Sequence, residues 1–252
     1  MRSENDPNLY LKRTCESELM VVCLYVDDMI YFGSTKLLIG EFKFNMMKTF
    51  EMRDLGLLQY FLGLEVKQGK YGIFIFQNKY ATDLLKKFQL SNCVAAATPM
   101  NINEKLLKED GSGKTDPRWF RSLVGGLNYL THTRPDISFC VSVVSRYMHS
   151  PTKKHFGAAK RILRYFAGTV DYGIRYAEVP NFKLTGFIDS DWAGSIDDRK
   201  STSGNVFSFG SGAVTWSSKK QETVALSTSS SFENVFPRVL IRLMIWVNRV
   251  CI

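Results

Sequence analysis

The sequence predicts an α+β fold, and three observations carry that reading. Leu19 to Val26 and Met29 to Gly33 are two apolar runs rich in β-branched and aromatic residues, separated by Asp27-Asp28, which is the pattern of two strands joined by a tight turn. Between Trp119 and Ala167, apolar residues recur at helical spacing. From Leu184 onward the chain changes to short stretches of alternating residues broken by Gly-Ser-Gly, which read as strands.

Taken in order, Asn8 to Lys12 and Leu19 to Val26 read as paired strands, and the chain returns through the Asp27-Asp28 turn into Met29 to Phe32. Ser34-Thr35 is placed to cap a helix with Leu38, Phe42, Met46 and Phe50 at four-residue spacing. Leu62, Leu64 and Val66 alternate with Gly63 and Glu65, and Gln68-Gly69-Lys70 turns the chain into Ile73 to Phe76. Asn78 is a cap candidate for a short helix with Tyr80, Leu84 and Phe88 on one face. Asn101 to Arg118 is polar and contains Gly111-Ser112-Gly113, so it reads as a linker. Three helices follow, Trp119 to Thr131, Asp136 to His149 and Pro151 to Ala167, with Arg134-Pro135 as a break and Pro151 in a first turn. Strands are expected at Leu184 to Asp189, Asn205 to Phe209 and Ala213 to Trp216. The expected domains are residues 1–100, 101–180 and 181–252.

Length and composition narrow the function classes. The chain has 252 residues and 45% hydrophobic content, enough for one or two cored domains. Lys and Arg number 33 against 24 Asp and Glu, a net charge of +9. Such a surplus suits a polyanion such as nucleic acid, and basic proteins without such a partner are as common. The five cysteines form no CxxC spacing and are odd in number, which argues against a disulfide framework or structural zinc and for a reducing, intracellular compartment. His132, His149 and His155 lack ligand spacing and read as ordinary helix or surface residues. The polar N-terminus is no signal peptide. The apolar stretch from Val235 to Ile252 carries Arg238, Arg242 and Arg249, so it is too short and too charged for a membrane span.

Two features point to chemistry. Asp27 and Asp28 interrupt an apolar hairpin, and unpaired like charges beside a core are unfavourable by several kcal/mol. A divalent cation would turn that penalty into a site; a solvated Asp-Asp turn is the plain alternative. In the third helix, Phe156, Ala159, Leu163 and Phe166 form an apolar stripe, and Lys153, Lys154, Lys160, Arg161 and Arg164 gather on the remaining surface. That basic face could track a phosphate backbone or be a solvated helix face.

A series of motifs in one order then identifies a relationship. They are Leu24-Tyr25-Val26-Asp27-Asp28-Met29-Ile30, Phe50-Glu51-Met52-Arg53-Asp54-Leu55-Gly56, Tyr60-Phe61-Leu62-Gly63-Leu64-Glu65-Val66 and Ala97-Thr98-Pro99-Met100. Phe120-Arg121-Ser122-Leu123-Val124-Gly125, Thr133-Arg134-Pro135-Asp136-Ile137 and Arg161-Ile162-Leu163-Arg164-Tyr165 follow. Asp189-Ser190-Asp191-Trp192-Ala193-Gly194, Arg199-Lys200-Ser201-Thr202-Ser203-Gly204 and Trp216-Ser217-Ser218-Lys219-Lys220-Gln221 complete the set. Together they resemble the reverse transcriptase–ribonuclease H region of copia-type retrotransposon polyproteins, from roughly Asp6 to Ser227.

The resemblance implies a partial polymerase palm, a helical thumb and connection, and an incomplete ribonuclease H-like sheet and helix. Asp27 and Asp28 would help to hold two Mg2+ or Mn2+ ions about 4 Å apart, with Asp27 the direct ligand. Phe61-Leu62-Gly63 resembles the strand pair that positions a primer end, or is only a packed hairpin. Asp189 resembles the first-strand carboxylate of the ribonuclease site. Asp191, two residues on, is a second metal ligand or a loop cap, and Glu233 or Phe232 falls at the position of the catalytic Glu. The implied partners are an RNA template, an RNA–DNA hybrid and the rest of the polyprotein, with no membrane. The implied location is intracellular, cytoplasmic within virus-like particles or nuclear. The third palm carboxylate, the finger region and two later ribonuclease Asp residues have no counterpart in the 252 residues. The expectation is therefore a chain that alone is inactive as a polymerase and has little or no ribonuclease activity. The alternative is a non-catalytic nucleic-acid binder that uses the basic helical surface. No protease or integrase signature is present.

Overall fold

The computed structural model describes residues 1–4, 6–15, 18–102 and 104–227. Its contacts divide the chain into two compact units, Met1–Leu58 and a second beginning at Gln59. The described residues form five α-helices and three antiparallel sheets, the mixed architecture of an α+β protein.

The first unit is a meander, β1 (Leu9–Cys15), β2 (Glu18–Tyr25) and β3 (Asp28–Gly33), in the order β1-β2-β3. Registers run Leu9 to Cys23 and Met20 to Gly33, and close at Tyr25 to Asp28. The next element is α1 (Lys36–Thr49). Thr35 caps it, its hydroxyl accepting the Leu38 N–H at 3.3 Å, as Ser and Thr do at helix starts. Met20, Val22 and Leu38 are buried, with Tyr31 and Phe42 packed against them. The apolar stripe stops short of expectation: Phe50 is the C-cap, extended and exposed. Asp54 pins the segment that follows. It pairs with Lys43 and accepts the Gly56 N–H at 3.0 Å, and Lys43 holds its carboxyl below the usual range.

The second unit holds the main core. One sheet runs β4 (Tyr60–Phe61), β5 (Leu64–Gly69), β6 (Gly72–Phe76), β7 (Gly173–Tyr176), in that order. The same unit contains α2 (Asn78–Lys87), α3 (Pro117–Leu130), α4 (Ser138–Ser145) and α5 (Lys153–Ala167), with a 3-10 turn at Pro135–Ile137. Phe120, Leu123, Leu127, Ile162 and Leu163 are fully buried among these helices, each worth about 1.5–3 kcal/mol of apolar burial. The last sheet, β8 (Leu184–Ser190), β9 (Thr202–Phe209) and β10 (Gly212–Lys220), has the order β10-β9-β8.

Several local expectations shift. Leu62 is not a strand residue: Leu62 and Gly63 have φ of 48° and 75° and form the two-residue turn between Phe61 and Leu64, the type I′ pattern that right-twisted hairpins favour. The next turn falls at Lys70-Tyr71, after Gly69 pairs with Gly72. Gln77, not Asn78, is the N-cap of α2. Pro151 precedes the α5 cap, which is Thr152 in a capping box with His155. His155 is wholly buried, so its place is the core and not the surface. β7 was not expected at all.

Candidate functional site

The β2–β3 hairpin builds the first candidate site. Its two-residue loop is Val26-Asp27, because Tyr25 pairs with Asp28. Val26 has φ of 55° and is 93% exposed. Positive φ at the first turn position alone is the type II′ pattern, which favours Gly there; a β-branched residue in that position is an outlier. Strain of this kind clusters at functional sites. Asp27 and Asp28 are both exposed, and no salt bridge reaches either among the described residues. No three His, Cys, Asp or Glu side chains among the described residues converge as a metal-holding group. Two adjacent carboxylates have the donor chemistry that a hard cation takes. They fall short of the closed donor set that two ions need.

The second candidate site lies at the end of β8. Asp189 pairs with Gly204 across β8–β9 and is exposed; its Oδ1 accepts the N–H of Ser190 at 2.9 Å. The strand ends at Ser190, so Asp191 lies beyond it. Asp191 Oδ1 accepts the Thr202 N–H at 2.5 Å, and its own N–H donates to Thr202 O at 3.1 Å. Those two bonds tie the loop that follows β8 to the start of β9. Glu233 and Phe232 lie outside the described residues.

The basic face of α5 is partly committed. Arg161 Nη2 donates to Thr98 Oγ1 at 3.0 Å, and Arg164 Nε donates to Val94 O at 2.8 Å. Lys160 Nζ stands 5.0 Å from the Phe156 ring centre. Lys153 and Lys154, in the first turn, are exposed.

Comparison with known proteins adds the decisive observation. The family described as reverse transcriptase (RNA-dependent DNA polymerase) matches residues 1–102. An uncharacterized mitochondrial protein of Arabidopsis thaliana is 40% identical, over 84% of this chain and 88% of its own length. The retrovirus-related Pol polyprotein from transposon RE1 of the same plant is 37% identical over 92% of this chain. The Pol polyprotein from transposon TNT 1-94 of Nicotiana tabacum is 36% identical over 99% of it.

The chain belongs to the copia-type retrotransposon reverse transcriptase family.

It spans 16% and 19% of the length of those two Pol polyproteins. No solved structure matches. Within this reverse transcriptase relative, sequence reasoning passed over one residue at the Phe61-Leu62-Gly63 hairpin. The Tyr129 hydroxyl, from α3, donates to the Leu62 carbonyl, and the Tyr129 ring packs edge-on against Tyr80 at 4.7 Å. A half-buried tyrosine in a helix carries no sequence signal of such a bond. No described helix is long and apolar enough to cross a membrane.

Proposed function

We propose that the chain is a reverse transcriptase–ribonuclease H segment that works only as part of a larger retrotransposon polyprotein, and that by itself it does not polymerise. The palm reading covers the β2–β3 hairpin, the thumb and connection reading covers α3 to α5, and the ribonuclease H reading covers β8 to β10. One observation carries it: the hairpin tip holds Asp27 and Asp28 exposed and without a salt bridge among the described residues, on a turn whose backbone is strained at Val26. A residue pair that served only the fold would gain from Gly at that turn and from a neighbouring Lys or Arg.

In the intact polyprotein, Asp27 and Asp28 would ligate Mg2+ or Mn2+, which when bound supplies charge neutralisation at the transferring phosphoryl group. What the chain contributes is position: strands paired from Met20 to Gly33 fix the tip on a rigid element. Asp189 is proposed as the corresponding carboxylate of the ribonuclease site, and Glu233 as its helix partner. Asp191 serves as a loop tie and, in the same reading, a second ligand.

A primer-extension assay on an RNA template tests this. The chain alone gives no product with magnesium or manganese. Mixing with an upstream polyprotein fragment restores extension, and Asp27→Asn abolishes the restored activity. Extension by the isolated chain would overturn the reading. The exposed Lys153 and Lys154 favour a second role, non-catalytic binding of an RNA–DNA hybrid through α5.

A further inference from the structure

A groove between α4 and β10 holds two buried polar atoms without a hydrogen-bond partner among the described residues, Arg146 Nε and Ser218 Oγ. It measures about 360 Å³, and its lining includes Asn128, Ser142, Arg146, Ser218, Lys219 and Lys220, with no carboxylate. Its walls are fastened together. The Trp216 indole N–H of β10 donates to the Thr131 carbonyl at 2.9 Å, just past the end of α3.

Arg146 is the centre of the argument. Its Nη2 donates to a neutral acceptor, Thr202 Oγ1, at 2.9 Å. Its Nε is buried without a hydrogen-bond partner, and so is the Ser218 hydroxyl. A buried donor left unsatisfied is unfavourable. The carboxylates that interact electrostatically with Arg146 are Asp191 and Asp198. Asp191 accepts the Thr202 N–H, and Asp198 pairs with Lys220 at 2.7 Å. No carboxylate lies within ion-pair distance of Arg146 or Lys219 among the described residues. Arg146 and Lys219, without an ion-pair partner among the described residues and set beside hydroxyls and an amide with no carboxylate in the lining, make an anion site. A guanidinium's planar fork suits the oxygens of a phosphate.

We propose that this groove holds a phosphate group of a nucleic-acid strand, with Arg146 and Lys219 supplying charge and Asn128, Ser142 and Ser218 supplying neutral hydrogen bonds. The site shares no residue with the Asp27-Asp28 hairpin or with the basic residues of α5. It rests on the reading that the chain handles nucleic acid only for the source of the phosphate.

Fluorescence anisotropy with a labelled RNA–DNA hybrid, across a potassium chloride series, tests the site on the full chain. Lys219→Ala and Arg146→Gln each weaken binding by about 3- to 10-fold, and each makes the slope of log affinity against log salt shallower by about one. Inorganic phosphate raises the melting temperature of the wild type and not of Arg146→Gln. Lys219 is exposed, so its variant decides the matter if Arg146→Gln fails to fold. Wild-type affinity and slope in Lys219→Ala would overturn the site and leave the proposed function standing. Loss of the phosphate effect with hybrid binding intact would mean an anion pocket that meets no strand, and would also overturn it. A wild type that binds no hybrid would overturn both this site and the binding role given to α5.

Discussion

Arg134 grips Asp136 with two parallel bonds, Nε to Oδ1 at 2.8 Å and Nη2 to Oδ2 at 2.6 Å. The Arg134 side chain is almost wholly buried, and its guanidinium also donates to Thr169 O and Thr169 Oγ1, both at 2.8 Å. Its Cζ lies 4.2 Å from the Phe166 ring centre. The Thr133-Arg134-Pro135-Asp136 motif is therefore a structural clamp that joins the start of α4 to the end of α5.

Breaking that clamp from one side leaves a partner uncompensated. Arg134→Met is expected to lower stability by about 3 kcal/mol. Arg134→Lys recovers little of it, because an ammonium reproduces neither the fork nor the stacking. Urea denaturation of the three proteins, with the Asp136→Asn double-mutant cycle, measures the coupling.

His155 gives a pH dependence with a definite sign. Its Nδ1 accepts the Thr152 N–H at 3.0 Å, and its Nε2–H donates to Leu107 O at 2.9 Å, so the buried ring is neutral. Burial pushes its proton affinity down, and the unfolded chain then takes up the proton more readily. That contribution is full above about pH 6.5 and is lost as pH falls below it. Melting temperature is expected to decline from pH 6.5 to 5 in the wild type, with a flatter profile in His155→Gln. Asp110, held well below the usual carboxyl range by Ser112 and Thr152, acts in the same direction at lower pH, below about 3.9.

Relaxing the Val26 turn should separate stability from chemistry. Val26→Gly removes the φ penalty of about 1–3 kcal/mol against the added unfolded-state entropy of Gly, about 0.5–1 kcal/mol. The expected net is a gain of up to about 2 kcal/mol in thermal unfolding. Asp27→Asn and Asp28→Asn, at exposed positions without salt bridges among the described residues, stay within about 0.5 kcal/mol of wild type. A large loss in either would show that the carboxylates hold the hairpin together.

Gly173 marks where β7 meets β6. A Cβ there would run into the Ile75 carbonyl oxygen and lie 2.8 Å from Phe76 Cβ. Gly173→Ala is expected to lose about 1–3 kcal/mol, with amide exchange at Ile75 and Ile174 accelerated.

Local signals made much of this legible. The hairpin around Asp27-Asp28, the Thr35 cap and the stripe of Ala159, Leu163 and Phe166 follow from spacing and side-chain chemistry, and the structure keeps them. What escaped is set by distant partners. Gly173-Ile174-Arg175-Tyr176 has no strand signature of its own, and becomes β7 only because β6 offers a free edge. His155 reads as an ordinary polar residue until Tyr147 stacks on it at 3.9 Å. Arg161 and Arg164 look like a surface charge run, and their bonds to Thr98 and Val94 depend on a loop more than sixty residues earlier. Arg146, the C-cap of α4, carries no local mark of the groove that it lines.

The pairing of Phe76 with Gly173 also orders events during synthesis. The two residues lie about a hundred positions apart, and every described helix of the second unit is translated between them. The β4–β6 hairpins leave the ribosome with a bare edge, and they keep it for the several seconds that elongation takes to reach Tyr176. During that interval Ile73, Phe74 and Ile75 are open to pairing with a neighbouring nascent chain. Slow codons before Gly173 would prolong the exposure, and an early stop there would leave it permanent.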